Sequence, residues 1–298
     1  MQKNINLSIL LSFFGLWLTS FLKNEVQVFV GFILILSVGV AHGANDLLLI
    51  KKINGENSSK YWRLLVNYIF IVLIAILLFN LIPWLAMLLF IIVSSYHFGE
   101  QHWDYVPLYS NKIVTISFHT IYGLFILLLL FQFHENEVMD ILFGITEIKL
   151  TFIDISLILK ITGLLLISMF IYNFYFSKMF QENIVKETLY LIVFAIIFKV
   201  GSLIWAFAIY FILWHSIPSL YDQIKFLFGE VSIANFKTYL KSAFLYWLIS
   251  IIGITILYFL LKDYKIFDSI FFSFLAAITF PHVFVIERMF NSKNKKTE

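Results

Sequence analysis

Long apolar runs, separated by short polar segments, follow one another along the whole chain. A helix that crosses the hydrocarbon core of a bilayer needs about 20 mostly apolar residues. Runs of about this length lie at residues 5–22, 27–50, 62–82, 83–101, 113–133, 153–176, 203–220, 241–261 and 269–290. A tenth run, 187–198, is shorter, and 199–202 separates it from the next, so it is either a short span or a re-entrant half-helix. The pattern predicts an all-α, polytopic membrane bundle of about 10 spans (eight to ten), forming a single transmembrane domain over residues 1–298.

The basic residues orient this bundle, because cytoplasmic loops of membrane proteins are enriched in Lys and Arg. A count of ten spans places the basic clusters around residues 51–63, 178–186, 225–241 and 288–296 on one side, and the acidic segment 134–147 on the other. A count of nine would break this pattern. We therefore predict ten spans, both termini in the cytoplasm, and insertion in the inner cell membrane.

The composition agrees with a membrane protein and excludes several classes of function. The 298 residues are 61% hydrophobic and 13% charged, whereas a soluble domain is nearer half apolar and a quarter charged. The net charge of +3 is spread over many short loops, so no nucleic-acid partner is expected. Because the chain has no cysteine, it has neither disulfides nor thiolate-ligated haem or iron–sulfur clusters.

Four of the seven histidines share one depth in the predicted bundle. His42, His97, His215 and His282 lie on four different spans, each near the cytoplasmic end. Each precedes a charged residue at that end by a few positions, which places it roughly 7–13 Å inside the boundary at 1.5 Å per residue. Ionisable groups inside a membrane are costly unless they are paired or bound to something. The shared depth predicts a metal site, since imidazole is a common ligand of iron, copper, zinc and nickel.

Carboxylates accompany two of these histidines at helical spacing. Asp46 follows His42 by four residues and Glu100 follows His97 by three, so each pair is predicted to share a helix face. Metal-bound histidines usually donate their second N–H to such a carboxylate. Asp46 and Glu100 are therefore predicted to orient the ligands, although both would also suit the pore of a transporter.

Further candidates surround this site. His119 is a possible extra ligand, and His102 is either an interfacial residue or a residue of the site. Nearby aromatic side chains either line a tunnel for a long apolar substrate or only pack the bundle: Tyr96, Phe98, Trp103 and Trp214.

Four short motifs resemble those of one family. The segments AHGANDLLLI, SSYHFGEQHW, YFILWHSIPSL and FPHVFVIERMF occur in this order, and they resemble the boxes of the bacterial Brp/Blh proteins, membrane β-carotene 15,15′-dioxygenases. The resemblance implies a non-haem Fe(II) enzyme. Such an enzyme uses O2 to cleave the central double bond of β-carotene into two retinals, which supply a rhodopsin.

The resemblance also assigns residues. His42, His97 and His215 match family histidines regarded as iron ligands. The late box of the family commonly has two histidines four apart, whereas this chain has Ser219 four residues after His215. Either His282 is the fourth ligand, as its depth suggests, or His102 compensates, or the site is altered.

Three rival functions follow from the same residues. A di-iron desaturase or hydroxylase would need eight or more clustered histidines, and this chain has seven. A transporter with an intramembrane His/Asp/Glu pathway would place functional polar groups at both faces, whereas here they concentrate near one. The third rival is a catalytically silent carotenoid-binding protein, which no longer binds iron because a serine occupies position 219.

Overall fold

The computed structural model describes residues 2–55, 58–106, 111–261 and 264–294, and within these ranges the chain is helical, without strands. The helices and two π-helical segments are α1 (Gln2–Thr19), α2 (Asn24–Leu34), π1 (Ile35–Gly39), α3 (Val40–Gly43), α4 (Asp46–Asn54), α5 (Ser58–Leu81), α6 (Pro83–Trp103), α7 (Lys112–Phe133), α8 (Glu135–Thr146), α9 (Ile155–Phe176), α10 (Lys178–Val200), α11 (Leu203–Tyr210), π2 (Phe211–Ser216), α12 (Ile217–Phe228), α13 (Ile233–Leu261) and α14 (Tyr264–Asn294). The predicted all-α class is confirmed.

Seven helical stretches in the described ranges are long and apolar enough to cross a membrane. They are Asn24–Asn54, Tyr61–Leu81, Lys112–Phe133, Ile155–Phe176, Leu203–Phe228, Ile233–Ile256 and Phe271–Ser292. The protein is thus a polytopic helical membrane protein, as the apolar runs predict. Helices α1, α6 and α10 occupy the other three predicted spans. The count of ten and the cytoplasmic termini stay predictions.

Two segments differ from the sequence-based expectation. The tenth run predicts either a short span or a re-entrant half-helix over 187–198, but α10 is longer and begins at Lys178. The Ser177 side chain caps this helix by accepting a hydrogen bond from the Phe180 N–H. The acidic segment 134–147, expected to be a loop, contains α8. Its first turn carries Glu135 and Glu137, which interact favourably with the positive end of a helix dipole.

Backbone contacts group the chain into two compact units, and the single domain over 1–298 stays a prediction. Unit 1 comprises Met1–Ile35, Ile91–Met139 and Leu150–Pro218. Within it, α7 packs on α9 and α10, and α11 packs on α2 and α10. Helices α6 and α7 are in backbone contact: a Cβ atom on Gly99 would lie 1.9 Å from the His119 carbonyl oxygen. Only glycine permits such an approach.

Unit 2 comprises Leu36–Phe90, Asp140–Lys149 and Ser219–Glu298. Here α14 packs on α4 and α5, while α13 packs on α3 and α14. Its core is formed by buried apolar side chains from α4, α5 and α12–α14, among them Leu49, Ile224, Tyr239 and Ile286. The short α3, which carries His42, packs on α13 and α14.

Candidate metal centre

Departures from regular α-helix occur next to two of the four histidines. His42 lies three residues after π1, and His215 lies inside π2. A π-helical turn inserts an extra residue into a helix and so reorients the side chains near it, and such turns are frequent at functional sites. Both histidines are buried, with 4% and 2% of their surface exposed.

In unit 2, His42 and His282 face each other. Their ring centroids are 4.9 Å apart and the rings are nearly perpendicular, at 84°. Each offers a nitrogen to a metal, and these two nitrogens lie within 4.8 Å of each other. Gly43 follows His42, and a Cβ atom there would make an ordinary contact of 3.5 Å with the His282 ring. The small residue after His42 therefore lies against the second imidazole.

The Nδ1 atom of each of these rings faces an oxygen acceptor. His282 Nδ1 donates to Asp46 Oδ1 over 2.8 Å, and His42 Nδ1 donates to the Gly39 carbonyl. A neutral imidazole carries one proton, so both rings take the Nδ1–H tautomer, which leaves Nε2 as the nitrogen that could bind a metal.

The partner of Asp46 differs from the one that sequence spacing suggests. Spacing pairs Asp46 with His42, but the carboxylate accepts from His282 and, through Oδ2, from the Tyr68 hydroxyl over 3.2 Å. The reason is a turn at residues 44–45, which interrupts the helix between α3 and α4. The i, i+4 geometry holds only in an unbroken helix. Asp46 thus orients the imidazole that comes from α14.

In unit 1, His97 and His215 form a second pair. Their ring centroids are 4.7 Å apart at an interplanar angle of 79°, and both rings are at least 98% buried. Phe98 lies against His215 with a centroid distance of 4.8 Å, and Phe211 stacks on the same ring at 5.4 Å. This pair is therefore enclosed by apolar aromatic surface.

Glu100 and His119 lie beside Tyr96 in unit 1. The Tyr96 hydroxyl donates to Glu100 Oε1 over 2.6 Å, and the ring of Tyr96 lies 6.2 Å from that of His119. The predicted roles of Glu100 as an orienting carboxylate and of His119 as an extra ligand stay predictions.

His102 has a partner that sequence analysis did not identify. Its Nε2 lies 2.6 Å from Glu187 Oε2, and the other oxygen of this carboxylate accepts from the Tyr105 hydroxyl. Glu187 is fully buried on α10. Burial and the nearby carboxylate raise the pKa of Tyr105, so its hydroxyl stays protonated. The only feature of the sequence that could have identified Glu187 was its position as an acidic residue at the start of the apolar run 187–198.

The remaining aromatic candidates are enclosed by other rings. Trp103 stacks on Phe180 and contacts Phe118 and Tyr122, while Trp214 contacts Phe194 and donates to Ser12 Oγ over 2.9 Å. Such surroundings are typical of packing residues. Of the other predicted lining residues, Phe98 contacts His215 and Tyr96 lies beside His119.

Ser219 is fully buried and is the first residue of the last segment of unit 2. Its hydroxyl accepts a hydrogen bond from Gln223 Nε2 over 3.0 Å. Gln223 also donates to the His42 carbonyl. The residue that replaces the expected histidine therefore supports the backbone of another candidate ligand. Sequence analysis did not single out Gln223, because nothing local distinguishes it on an amphipathic helix.

The donor set in unit 2 fits a transition metal. Nitrogen ligands lie roughly 2.1 Å from such an ion, which brings two of them within about 4 Å of each other. The pair of His42 and His282 approaches this spacing, and a carboxylate fixes one of the rings, an arrangement common among metal-bound histidines. Neutral imidazoles suit iron, copper, zinc and nickel.

Comparison with known proteins identifies the family. The family model described as beta-carotene 15,15'-dioxygenase matches residues 33–290, which is most of the chain. The chain belongs to this family. No curated protein and no solved structure matches it.

Membership confirms the resemblance that the four histidine motifs predicted. The matched range begins before His42 and ends after His282, so it contains all four candidate ligands. The protein is a helical membrane protein of the β-carotene dioxygenase family.

Proposed function

We propose that the protein is a membrane-embedded, non-haem Fe(II) dioxygenase that cleaves β-carotene at its central double bond. The reaction consumes one O2: the central carbon–carbon double bond breaks, and each carbon receives one oxygen atom, which gives two molecules of retinal. The match to the family model over residues 33–290 is the observation that carries this proposal.

We further propose that His42, His97, His215 and His282 bind one iron ion. The shared depth of these histidines in the predicted spans supports a common site. Their buried, pairwise arrangement within each unit also supports it. Iron, when bound, would supply the activation of O2. An all-histidine ligand set brings no negative charge and leaves room for another ligand.

The chain's own residues have two roles in this proposal. Asp46 holds the imidazole of His282 in the tautomer that exposes Nε2, and Gly39 does the same for His42. Phe98 and other apolar side chains position the polyene and exclude water. A substrate insoluble in water enters such a site from the bilayer, and the retinal product would supply a retinal-binding rhodopsin.

The first test is a pigment extraction. The chain is expressed in a bacterium that makes β-carotene, and its lipids are compared by HPLC with those of an empty-vector control. We expect retinal to appear as β-carotene declines. Unchanged β-carotene, with the protein shown to be in the membrane, would favour another carotenoid substrate or the transport and carotenoid-binding alternatives.

The metal assignment is tested with matched histidine variants. His97→Ala should abolish retinal formation without preventing membrane insertion. His134→Ala is the control. His134 lies at the C-terminal end of α7, and its ring forms a hydrogen bond with the Phe198 carbonyl of α10. Chelator treatment of purified protein should likewise abolish activity, and Fe(II) should restore it. Appreciable retinal from the His97 variant would contradict the ligand assignment.

A further inference from the structure

The backbone carbonyl of His42 lies where a helix ends. Helix α3 runs only from Val40 to Gly43, and residues 44–45 form a turn before α4. Carbonyl groups in the last turn of a helix have no following helical N–H to accept from, so they need donors from elsewhere. A buried carbonyl without a donor would cost about 1–3 kcal/mol.

Two side chains from distant parts of the chain bond to this carbonyl. Gln223 Nε2, on α12, donates to His42 O over 2.9 Å. The Tyr239 hydroxyl, on α13, lies 3.0 Å from the same oxygen and 2.7 Å from Gln223 Oε1. Gln223 and Tyr239 are both fully buried, so water does not compete for these hydrogen bonds.

Further hydrogen bonds hold the turn at residues 44–45, which follows α3. Asn45 Nδ2 donates to the Tyr239 carbonyl over 2.9 Å, and the Ser242 hydroxyl lies 2.9 Å from Asn45 Oδ1. On the other side, Gln223 is held by its bond to the Ser219 hydroxyl. The interruption of the helix is thus held in one conformation by side chains from α12 and α13.

We propose that Gln223 and Tyr239 are positioning residues for the metal ligand His42. The inference rests on the proposed metal site. Gln223 Nε2 donates to the His42 carbonyl, and the single proton of the Tyr239 hydroxyl is shared between this carbonyl and Gln223 Oε1, so Tyr239 also holds Gln223 in place. These bonds fix the peptide plane that follows His42, and with it the direction of the Cα–Cβ bond and of the ring. Because the helical stretch that begins at Asn24 ends at Gly43, the His42 carbonyl lies in its last turn and depends on these side chains for its hydrogen bonds. If either side chain lost its hydrogen bond, the His42 ring would still be present but would point in a less suitable direction for binding a metal.

The test measures metal binding directly. Detergent-purified protein is stripped of metal and titrated with Co(II), whose visible absorption bands report the ligand geometry. The variants are Tyr239→Phe, which removes only a hydroxyl, and Gln223→Met, which keeps the length of the side chain. Tyr246→Phe, half-exposed on the same helix as Tyr239, is the control. Thermal unfolding of each metal-free variant is recorded in parallel.

We expect each of the two variants to bind Co(II) about 10-fold more weakly or worse, as is usual when a group that orients a ligand is lost. Their absorption bands should shift, while the control should match the unchanged protein. Variants that unfold at lower temperature but bind Co(II) with unchanged affinity and spectrum would show a purely structural role and overturn the inference. If the unchanged protein binds no Co(II), the proposed metal site itself fails, and the inference falls with it.

Discussion

Replacement of Asp46 by Asn gives the sharpest test of how the candidate site is oriented. The carboxylate accepts from His282 Nδ1 over 2.8 Å and from the Tyr68 hydroxyl over 3.2 Å, and 2% of its residue surface is exposed. Asn has nearly the same shape and keeps one oxygen acceptor. The substitution therefore removes the negative charge with little change in packing.

The size of the effect follows from the two kinds of hydrogen bond. A bond to a charged group contributes roughly 1.5–3 kcal/mol and a neutral one about 0.5–1.5 kcal/mol. The loss is then about 1–1.5 kcal/mol, which corresponds to roughly 5–10-fold weaker metal binding. If the amide group of Asn turned its N–H toward His282, the ring would take the other tautomer and the loss would approach 100-fold.

Co(II) titration of the metal-free protein measures this loss, and retinal yield in a β-carotene-producing host reports its consequence. Tyr68→Phe removes the longer bond and leaves the charge, so its effect should be smaller. Asp140→Asn, at an exposed position on α8, should have none. Unchanged Co(II) affinity in the Asp46 variant would refute the idea that this carboxylate orients a metal ligand.

Two further substitutions test the packing of unit 1. Gly99→Ala would place a Cβ atom 1.9 Å from a backbone oxygen of α7, so we expect low yield and a clear fall in melting temperature, whereas Gly253→Ala, with open space around it, should be tolerated. Glu187→Gln removes the negative charge that lies beside His102. We expect the free energy of unfolding to fall by about 1–3 kcal/mol and the melting temperature to fall by several degrees. Glu182→Gln, at an exposed position on the same helix, is the control.

The length of the apolar runs was sufficient to predict the seven long apolar helices. An apolar run of about 20 residues has few stable alternatives in a bilayer, because every backbone polar group must bond within the segment. Small residues favour close contacts between membrane helices, and a glycine lies two residues after His97. The structure brings Gly99 against the backbone of α7.

The partners of the site residues were much harder to predict. Asp46 and His282 are separated by 236 positions, and periodicity carries no information about which helices become neighbours. The interruption of the helix at residues 44–45 was also hard to predict, because no proline lies there and only a single glycine precedes it. Spacing rules assume a continuous helix, and they therefore assigned Asp46 to the nearer histidine.

The serine at position 219 leads to the last prediction. The family resemblance places a histidine here, so Ser219→His would at first sight restore a ligand. In the structure the position is fully buried, and its hydroxyl holds Gln223, which in turn donates to the His42 carbonyl. A larger ring in this space would cost about 1–3 kcal/mol through overpacking and would displace Gln223. We therefore expect Ser219→His to weaken Co(II) binding. Ser219→Ala should weaken it less, because it removes one acceptor of Gln223 and leaves the bond of Gln223 to the His42 carbonyl.

The same substitution in a His282→Ala background decides between two arrangements of the site. If unit 2 is built around the pair of Asp46 and His282, a histidine at position 219 lacks the carboxylate that would fix its tautomer, and retinal formation stays absent. Retinal formation restored by the double variant would mean that the late box still accepts a ligand. His282 would then be a replacement for the missing histidine rather than a ligand that this site requires.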